Sequence, residues 1–188
     1  MRPSQVATIL ENLITARQPC MIWGPPGVGK SEVVRQVADK LFGPMKTVRT
    51  RKINPARHHS HFIDLRLPLL DAVDLRGIPT IIDGQTVWIP PSFLPQGDWS
   101  GVLFFDEIVQ APPTIQAAAS SIILPPHTLG EYTLPPGGAV VAAGNRETDR
   151  AATHKMPSHL ANRFTHIQFD VHLEDWVTWA LENGEDPS

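Results

Sequence analysis

An octapeptide near the amino terminus matches the pattern GxxxxGK[ST]. It reads Gly24-Pro25-Pro26-Gly27-Val28-Gly29-Lys30-Ser31. The glycines of this pattern let backbone N–H groups close around phosphate oxygens, while Lys30 can neutralise the β- and γ-phosphate charge and Ser31 can ligate Mg²⁺. The pattern therefore predicts a phosphate-binding loop.

The residues on either side of the octapeptide support this prediction. Residues 20–23 are a short apolar run that is typical of a buried strand, and the residues from Ser31 onward repeat apolar side chains at helical spacing until Gly43-Pro44. A strand, a glycine loop and an amphipathic helix in this order place the positive end of a helix dipole against bound phosphate.

Further along the chain, predicted strands alternate with predicted helices. Apolar or alternating runs near residues 62–67, 102–105, 139–143 and 167–169 indicate strands, and two hairpins are predicted near residues 81–89 and 129–138. A helix with an apolar face is predicted to follow Pro112-Pro113. This alternation predicts an α/β fold with a parallel sheet between layers of helices.

Composition narrows the class of protein further. The 188 residues carry a net charge of −3, which gives no global argument for binding to nucleic acid or to an anionic membrane. No apolar run approaches membrane-spanning length. The single cysteine, Cys20, excludes an internal disulfide and is interpreted as a core thiol in a reducing, cytoplasmic setting.

Two acidic residues follow the apolar run 102–105. Asp106 and Glu107 would lie at the carboxyl edge of the sheet, where a nucleotide hydrolase needs a Mg²⁺-associated carboxylate and a second carboxylate that activates water. An acidic pair at the start of a helix is the alternative interpretation, but the upstream phosphate loop favours Asp106 on the metal side and Glu107 as the base.

An asparagine follows the next buried run. Asn145 could contact both the γ-phosphate and the attacking water, because its carboxamide carries a donor and an acceptor together. The alternative is an asparagine that only shapes a turn at the end of a strand.

The order of these motifs, completed by Leu160-Ala161-Asn162-Arg163-Phe164, resembles that of an AAA+ ATPase. In particular, the stretches 67–77 and 106–118 are similar to the middle region of the MoxR branch. The resemblance covers about residues 3–181. It implies a P-loop NTPase fold, a three-layer αβα sandwich with a five-stranded parallel sheet of order 5-1-4-3-2 and β-hairpin insertions.

The resemblance also implies roles for residues. Residues 24–31 would be Walker A, residues 102–107 Walker B, and Asn145 the sensor 1 residue. Arg163 would be the arginine finger that reaches the ATP of a neighbouring subunit. Arg163 could instead cap a helix, and Arg146 and Arg150 are competing candidates.

One part of the family pattern is not assigned. An AAA+ core is normally followed by a small helical lid, whereas no lid can be assigned after residue 181. We therefore expect an αβα core over residues 1–181 and an acidic tail, or the start of a lid, over residues 182–188. The preference for ATP over GTP follows from the resemblance alone.

These interpretations predict an ATPase that uses ATP and Mg²⁺. As implied by the resemblance, it would form a ring of its own copies, commonly hexameric, and remodel or mature a client protein. Two other classes stay open from the residues: a non-catalytic module that binds ATP without turnover, and a nucleic-acid motor. The basic residues between Lys46 and Arg57 are the only feature in favour of the motor.

Overall fold

A computed structural model of the chain describes residues 1–43, 60–146, 154 and 156–170. The basic connector around residues 46–57, the competing candidate Arg150 and residues 171–188, which include the predicted tail at 182–188, lie outside the described residues.

Five parallel strands form the central sheet. They are β1 (Cys20–Trp23), β2 (Phe62–Arg66), β5 (Ser100–Asp106), β8 (Gly137–Gly144) and β9 (Thr165–Gln168). Their order along the sheet is β2-β5-β8-β1-β9. When these five strands are numbered 1 to 5 along the chain, the order read from β9 to β2 is the predicted 5-1-4-3-2.

Helices cover both faces of the sheet. They are α1 (Pro3–Thr15), α2 (Lys30–Phe42), the 3₁₀ turn Leu67–Leu69, α3 (Ala72–Arg76), α4 (Pro113–Ile123) and α5 (Ser158–Ala161). Two hydrophobic cores result because neighbouring strand residues point to opposite faces. Phe104 packs in the core beneath α1 and α2, whereas Phe105 packs in the core beneath α4.

The first helix shows how the sequence pattern becomes a packed element. Val6, Leu10 and Ile14 are buried at helical spacing and form the stripe that faces the sheet. The helix begins with Pro3 in its first turn, and Arg2 occupies the cap position. Proline suits this place since its missing N–H has no partner in a first turn anyway.

Two hairpins extend from the sandwich, as the sequence predicted. The first pairs β3 (Ile78–Ile82) with β4 (Gln85–Ile89), and the second pairs β6 (Thr128–Leu129) with β7 (Tyr132–Thr133). Tyr132 is buried, and the ring of Trp88 lies under the guanidinium of Arg76 at 4.5 Å. Both aromatic residues are therefore engaged in local packing.

The buried thiol also agrees with its interpretation. Cys20 is fully buried on β1, and burial raises its pKa to about 12. A thiol with so high a pKa stays protonated at neutral pH and acts as a small core residue.

The central strand β5 makes the fold sensitive to one aromatic side chain. Phe104 is fully buried, so Phe104→Ala should lower the free energy of unfolding by about 3–5 kcal/mol. Leu69→Ala is the matched control, since Leu69 is 78% exposed and its truncation should change stability by less than about 0.5 kcal/mol. Urea denaturation followed by circular dichroism measures both, and equal losses would contradict this placement of the core.

Candidate functional site

Three neighbouring strands end at the same edge of the sheet and present the predicted polar residues there. In the parallel register, Trp23 of β1 lies beside Gly144 of β8, and Phe105 of β5 lies beside Ala142, which also belongs to β8. The loop after β1, Asp106 and Asn145 therefore all emerge at the carboxyl edge. This edge is where open α/β sheets bind their ligands.

The loop between β1 and α2 needs its glycines for two different reasons. Gly27 and Gly29 have φ angles of 77° and 85°, a left-handed conformation that favours glycine. Gly24 is needed for space, because a Cβ there would lie 2.7 Å from the carbonyl oxygen of Phe169. No side chain caps the amino end of α2. The helix end thus faces the loop with backbone N–H groups, as an anion site requires.

Lys30 is the centre of the site. Its ammonium group is buried and donates hydrogen bonds to the carbonyl oxygens of Gly24 at 2.9 Å and Pro25 at 2.8 Å, and to Oδ1 of Asn145 at 3.0 Å. A buried ammonium needs such acceptors, since burial without them is very costly. Two motifs that are 115 residues apart in the sequence therefore meet at one cation.

Asp106 and Glu107 occupy the end of β5. The backbone N–H of Glu107 donates to Oδ1 of Asp106 at 2.9 Å, and Glu107 has a φ of 57°. This left-handed conformation is uncommon for a residue with a side chain, and it is a form of strain that clusters at functional sites. The turn leaves the Glu107 side chain exposed beside the partly buried Asp106.

A third carboxylate near this pair was missed from the sequence. Asp64 of β2 lies beside Phe104 in the register, two residues before Arg66, which lies beside Asp106. Partial desolvation raises the pKa of Asp64, and the negative charge of Asp106 raises it further. An aspartate inside an otherwise alternating strand was the only available signal.

Arg163 lies away from these groups. It follows α5 and precedes β9, and the backbone N–H of Thr165 at the start of β9 donates to the carbonyl oxygen of Pro19, just before β1. Arg163 is exposed. Its backbone therefore lies at the amino edge of the sheet, separated from the chain's own loop by the length of a four-residue strand, about 13 Å.

Arg146, a competing candidate, is engaged within the chain. Its guanidinium donates to the carbonyl oxygen of Phe169 at 3.0 Å and to Oδ1 of Asp170 at 2.6 Å. The amino group of Met1 contacts the other oxygen of Asp170 at 2.6 Å. Arg146 thereby ties the residue after Asn145 to the end of β9. No sequence pattern indicated this contact, because Asp170 lies 24 residues away.

The residues at the carboxyl edge fit a nucleoside triphosphate with Mg²⁺. The uncapped helix end and Lys30 suit phosphate, and the Ser31 hydroxyl and the Asp106 carboxylate are the hard oxygen donors that Mg²⁺ prefers. Within the described ranges, no group of three or more histidine, cysteine, aspartate and glutamate side chains could hold a metal ion by itself. Mg²⁺ is commonly bound by one or two protein oxygens together with phosphate oxygens and waters.

The fold and the loop together define a P-loop NTPase domain with an αβα sandwich. Residues 19–164, more than three quarters of the chain, match the family model of the AAA domain, dynein-related subfamily. The chain belongs to this AAA family. None of the curated proteins matches the chain significantly.

A solved structure is similar in fold. The crystal structure of a protein from Cytophaga hutchinsonii, provisionally described as an ATPase, superposes with a TM-score of 0.61 at 18% sequence identity. The match covers 96% of this chain and 50% of that protein, so the present chain spans about half of the length of its structural relative. At this identity the likeness supports the fold.

Within residues 1–43, 60–146, 154 and 156–170, no helix combines the length and the apolar character that a membrane crossing requires.

The ion pairs of Asp170 predict how stability depends on pH. Hydrogen bonds from the amino-terminal ammonium and from Arg146 lower the pKa of Asp170 from 3.8 to about 2. The stabilisation is therefore present above pH 3.8 and is lost as the pH falls through about 2. Asp170→Asn should lower the urea midpoint at pH 6, and the difference from wild type should shrink at pH 2.5.

The exposed Asp98 provides the control for this measurement. Asp98→Asn should leave the midpoint nearly unchanged at both pH values. A deficit of Asp170→Asn that is equally large at pH 2.5 and pH 6 would show that the carboxylate charge is not its cause.

Proposed function

We propose that this chain is the core of a MoxR-like AAA+ ATPase, which binds Mg–ATP and hydrolyses it to ADP and phosphate. The observation that carries the proposal is the 3.0 Å hydrogen bond between Lys30 Nζ and Asn145 Oδ1. This bond brings a phosphate-loop lysine together with a strand-end carboxamide, beside the strand that ends in Asp106. Residues suited to bind the triphosphate, to polarise the γ-phosphate and to activate water would then all lie at one edge of one sheet.

The loop residues Gly24 to Ser31 would bind the triphosphate. Backbone N–H groups of the loop and of the first turn of α2 would donate to phosphate oxygens, as they do at other helix amino ends. Lys30 would exchange its bonds with the carbonyl oxygens of Gly24 and Pro25 for bonds with the β- and γ-phosphates. The exchange is favourable because a phosphate oxygen carries more negative charge than a carbonyl oxygen.

Ser31 and Asp106 are the residues that would hold Mg²⁺, Ser31 by its hydroxyl group and Asp106 on the side of β5. When bound, the ion would neutralise charge that develops on the phosphate oxygens during hydrolysis.

Glu107 would act as the general base and accept a proton from the attacking water. The Glu107 side chain is exposed whereas Asp106 is partly buried, and we assign the water to Glu107 and the metal to Asp106 on this basis. Asn145 would hold the water and the γ-phosphate in line, donating through its amide nitrogen and accepting through its oxygen.

Arg163 would complete the site of a neighbouring subunit. The support for action between subunits is that Arg163 is exposed and lies before β9, at the amino edge of the sheet, whereas the chain's own loop lies at the carboxyl edge. An arginine that contacts the γ-phosphoryl group in the transition state accelerates hydrolysis by roughly 10³–10⁵ in related enzymes. Such a shared site implies a ring of copies, commonly a hexamer.

The MoxR assignment and the use of hydrolysis rest on the resemblance of residues 67–77 and 106–118. In the structure the first stretch forms the 3₁₀ turn and α3 that lead into the first hairpin, and α3 packs against α4, which begins within the second stretch. We assign remodelling or maturation of a client protein as the use of hydrolysis on this basis.

Single substitutions separate binding from turnover. Glu107→Gln should retain ATP binding and reduce turnover by about 10²- to 10⁴-fold, because it removes the base without changing the loop. Lys30→Ala should instead weaken binding. Fluorescence titration with a labelled ATP analogue measures binding, and the rate of phosphate release measures turnover.

Glu131→Gln is the matched control, since Glu131 is an exposed glutamate in the turn of the second hairpin. Undiminished turnover by Glu107→Gln would refute its role as base. Tight binding with no turnover by the wild-type chain at any concentration would favour the non-catalytic module, and stimulation by DNA or RNA would favour the motor.

A mixing experiment tests Arg163. The specific activity of the wild type should rise with protein concentration, and Arg163→Ala should abolish this rise. A mixture of Arg163→Ala with Lys30→Ala should recover activity, because the second variant supplies the arginine to the nucleotide bound by the first.

The double variant Lys30→Ala/Arg163→Ala provides the control for the mixture. It lacks the arginine, so its addition to Arg163→Ala should restore nothing. A monomeric mass in ATP, together with activity that is independent of concentration, would contradict action between subunits.

A further inference from the structure

A histidine outside the proposed catalytic set connects Arg163's turn to the phosphate loop. His166 lies on β9, three residues after Arg163, and beside Met21 of β1 in the register. Its ring lies edge to edge with the indole of Trp23, with 5.9 Å between the centroids and an angle of 18° between the planes. Trp23 is the residue immediately before Gly24, the first residue of the loop.

Both ring nitrogens of His166 have partners. Nδ1 accepts a hydrogen bond from the indole N–H of Trp23 at 2.7 Å, and Nε2 lies 2.8 Å from the carbonyl oxygen of Ala161. A carbonyl oxygen can only accept, so Nε2 carries the proton and Nδ1 does not. The two partners thereby select one neutral tautomer of the ring.

The Ala161 carbonyl belongs to the turn that presents Arg163. It closes α5, and it also accepts a longer bond of 3.3 Å from the backbone N–H of Phe164. The ring of Phe164 is buried and meets the His166 ring edge-on at 6.4 Å. The short turn is thus held by a buried aromatic side chain on one side and by His166 on the other.

We infer that His166 is a positioning residue, which with Trp23 fixes the Arg163 turn relative to the chain's own phosphate loop. The inference rests on the proposed role of Arg163 between subunits. A movement of the loop on nucleotide binding would pass through Trp23 and His166 to Ala161, two residues before Arg163. The nucleotide of one subunit would in this way adjust the arginine offered to the next.

The test variant is His166→Phe, which keeps an aromatic ring against Trp23 and removes both hydrogen bonds. Its kcat at high protein concentration should fall roughly 10- to 100-fold, the loss expected when a reacting group is displaced by about 1 Å. Its affinity for the labelled ATP analogue should stay within about twofold of wild type, since no loop residue changes. His159→Phe is the control, because His159 is exposed on α5 and its substitution should leave both values unchanged.

Two further variants separate positioning from general loss of structure. His166→Gln, whose amide can both donate and accept, should recover part of the lost kcat. Trp23→Phe deletes the indole N–H and replaces the indole by a smaller aromatic ring, so it should reproduce part of the defect. It serves as the test if His166→Phe does not fold.

A double-mutant cycle decides the question. In the Arg163→Ala background, His166→Phe should cause no further loss, because both substitutions act through the same arginine. An unchanged kcat for His166→Phe and Trp23→Phe, or a full additional loss in the Arg163→Ala background, overturns the inference. If the kcat of Arg163→Ala equals that of wild type, the proposed role of Arg163 is wrong. If the kcat of Arg163→Ala is low but that of His166→Phe is normal, only the inference about His166 is wrong.

Discussion

The pairing of the four-residue strand β1 with both β8 and β9 is the constraint on which the site depends. This strand delivers the phosphate loop, and its two neighbours deliver Asn145 on one side and Arg163 on the other. The loop is seated by backbone contacts with both neighbours: Gly24 N–H donates to Gly144, and Phe169 N–H donates to Trp23. A shift of β1 by one residue would move its side chains from one hydrophobic core to the other and separate all of these groups.

The buried Lys30 ammonium shows how the loop is held closed on itself. Three of its acceptors come from the loop and from Asn145, the residue after β8, so the cation adds a side-chain link to the backbone bond between Gly24 and Gly144. A low-dielectric surrounding strengthens these bonds and also makes their loss costly. Phosphate is suited to replace them, because it offers oxygens of higher charge to the same cation.

Local pattern was enough to predict the elements that carry the chemistry. The runs at 20–23, 102–105 and 139–143 are buried on both faces and therefore consist of apolar residues. Glycine and proline residues mark their ends clearly. Their order in the sheet came from the family resemblance and is confirmed. The contacts of Arg146 with Asp170 and of Trp23 with His166 could not be predicted. They join residues far apart in sequence through side-chain directions, which no periodicity encodes.

The separation of Arg163 from its own loop has a consequence for symmetry. Under the proposed function each copy carries two half-sites, the phosphate loop at the carboxyl edge of the sheet and Arg163 at the amino edge. An open row of copies in head-to-tail contact always leaves one loop without an arginine. Closure of such a row into a ring gives every bound nucleotide a complete set of residues. The length of β9, which separates Arg163 from the loop, would thus make the number of complete sites depend on how the copies are arranged.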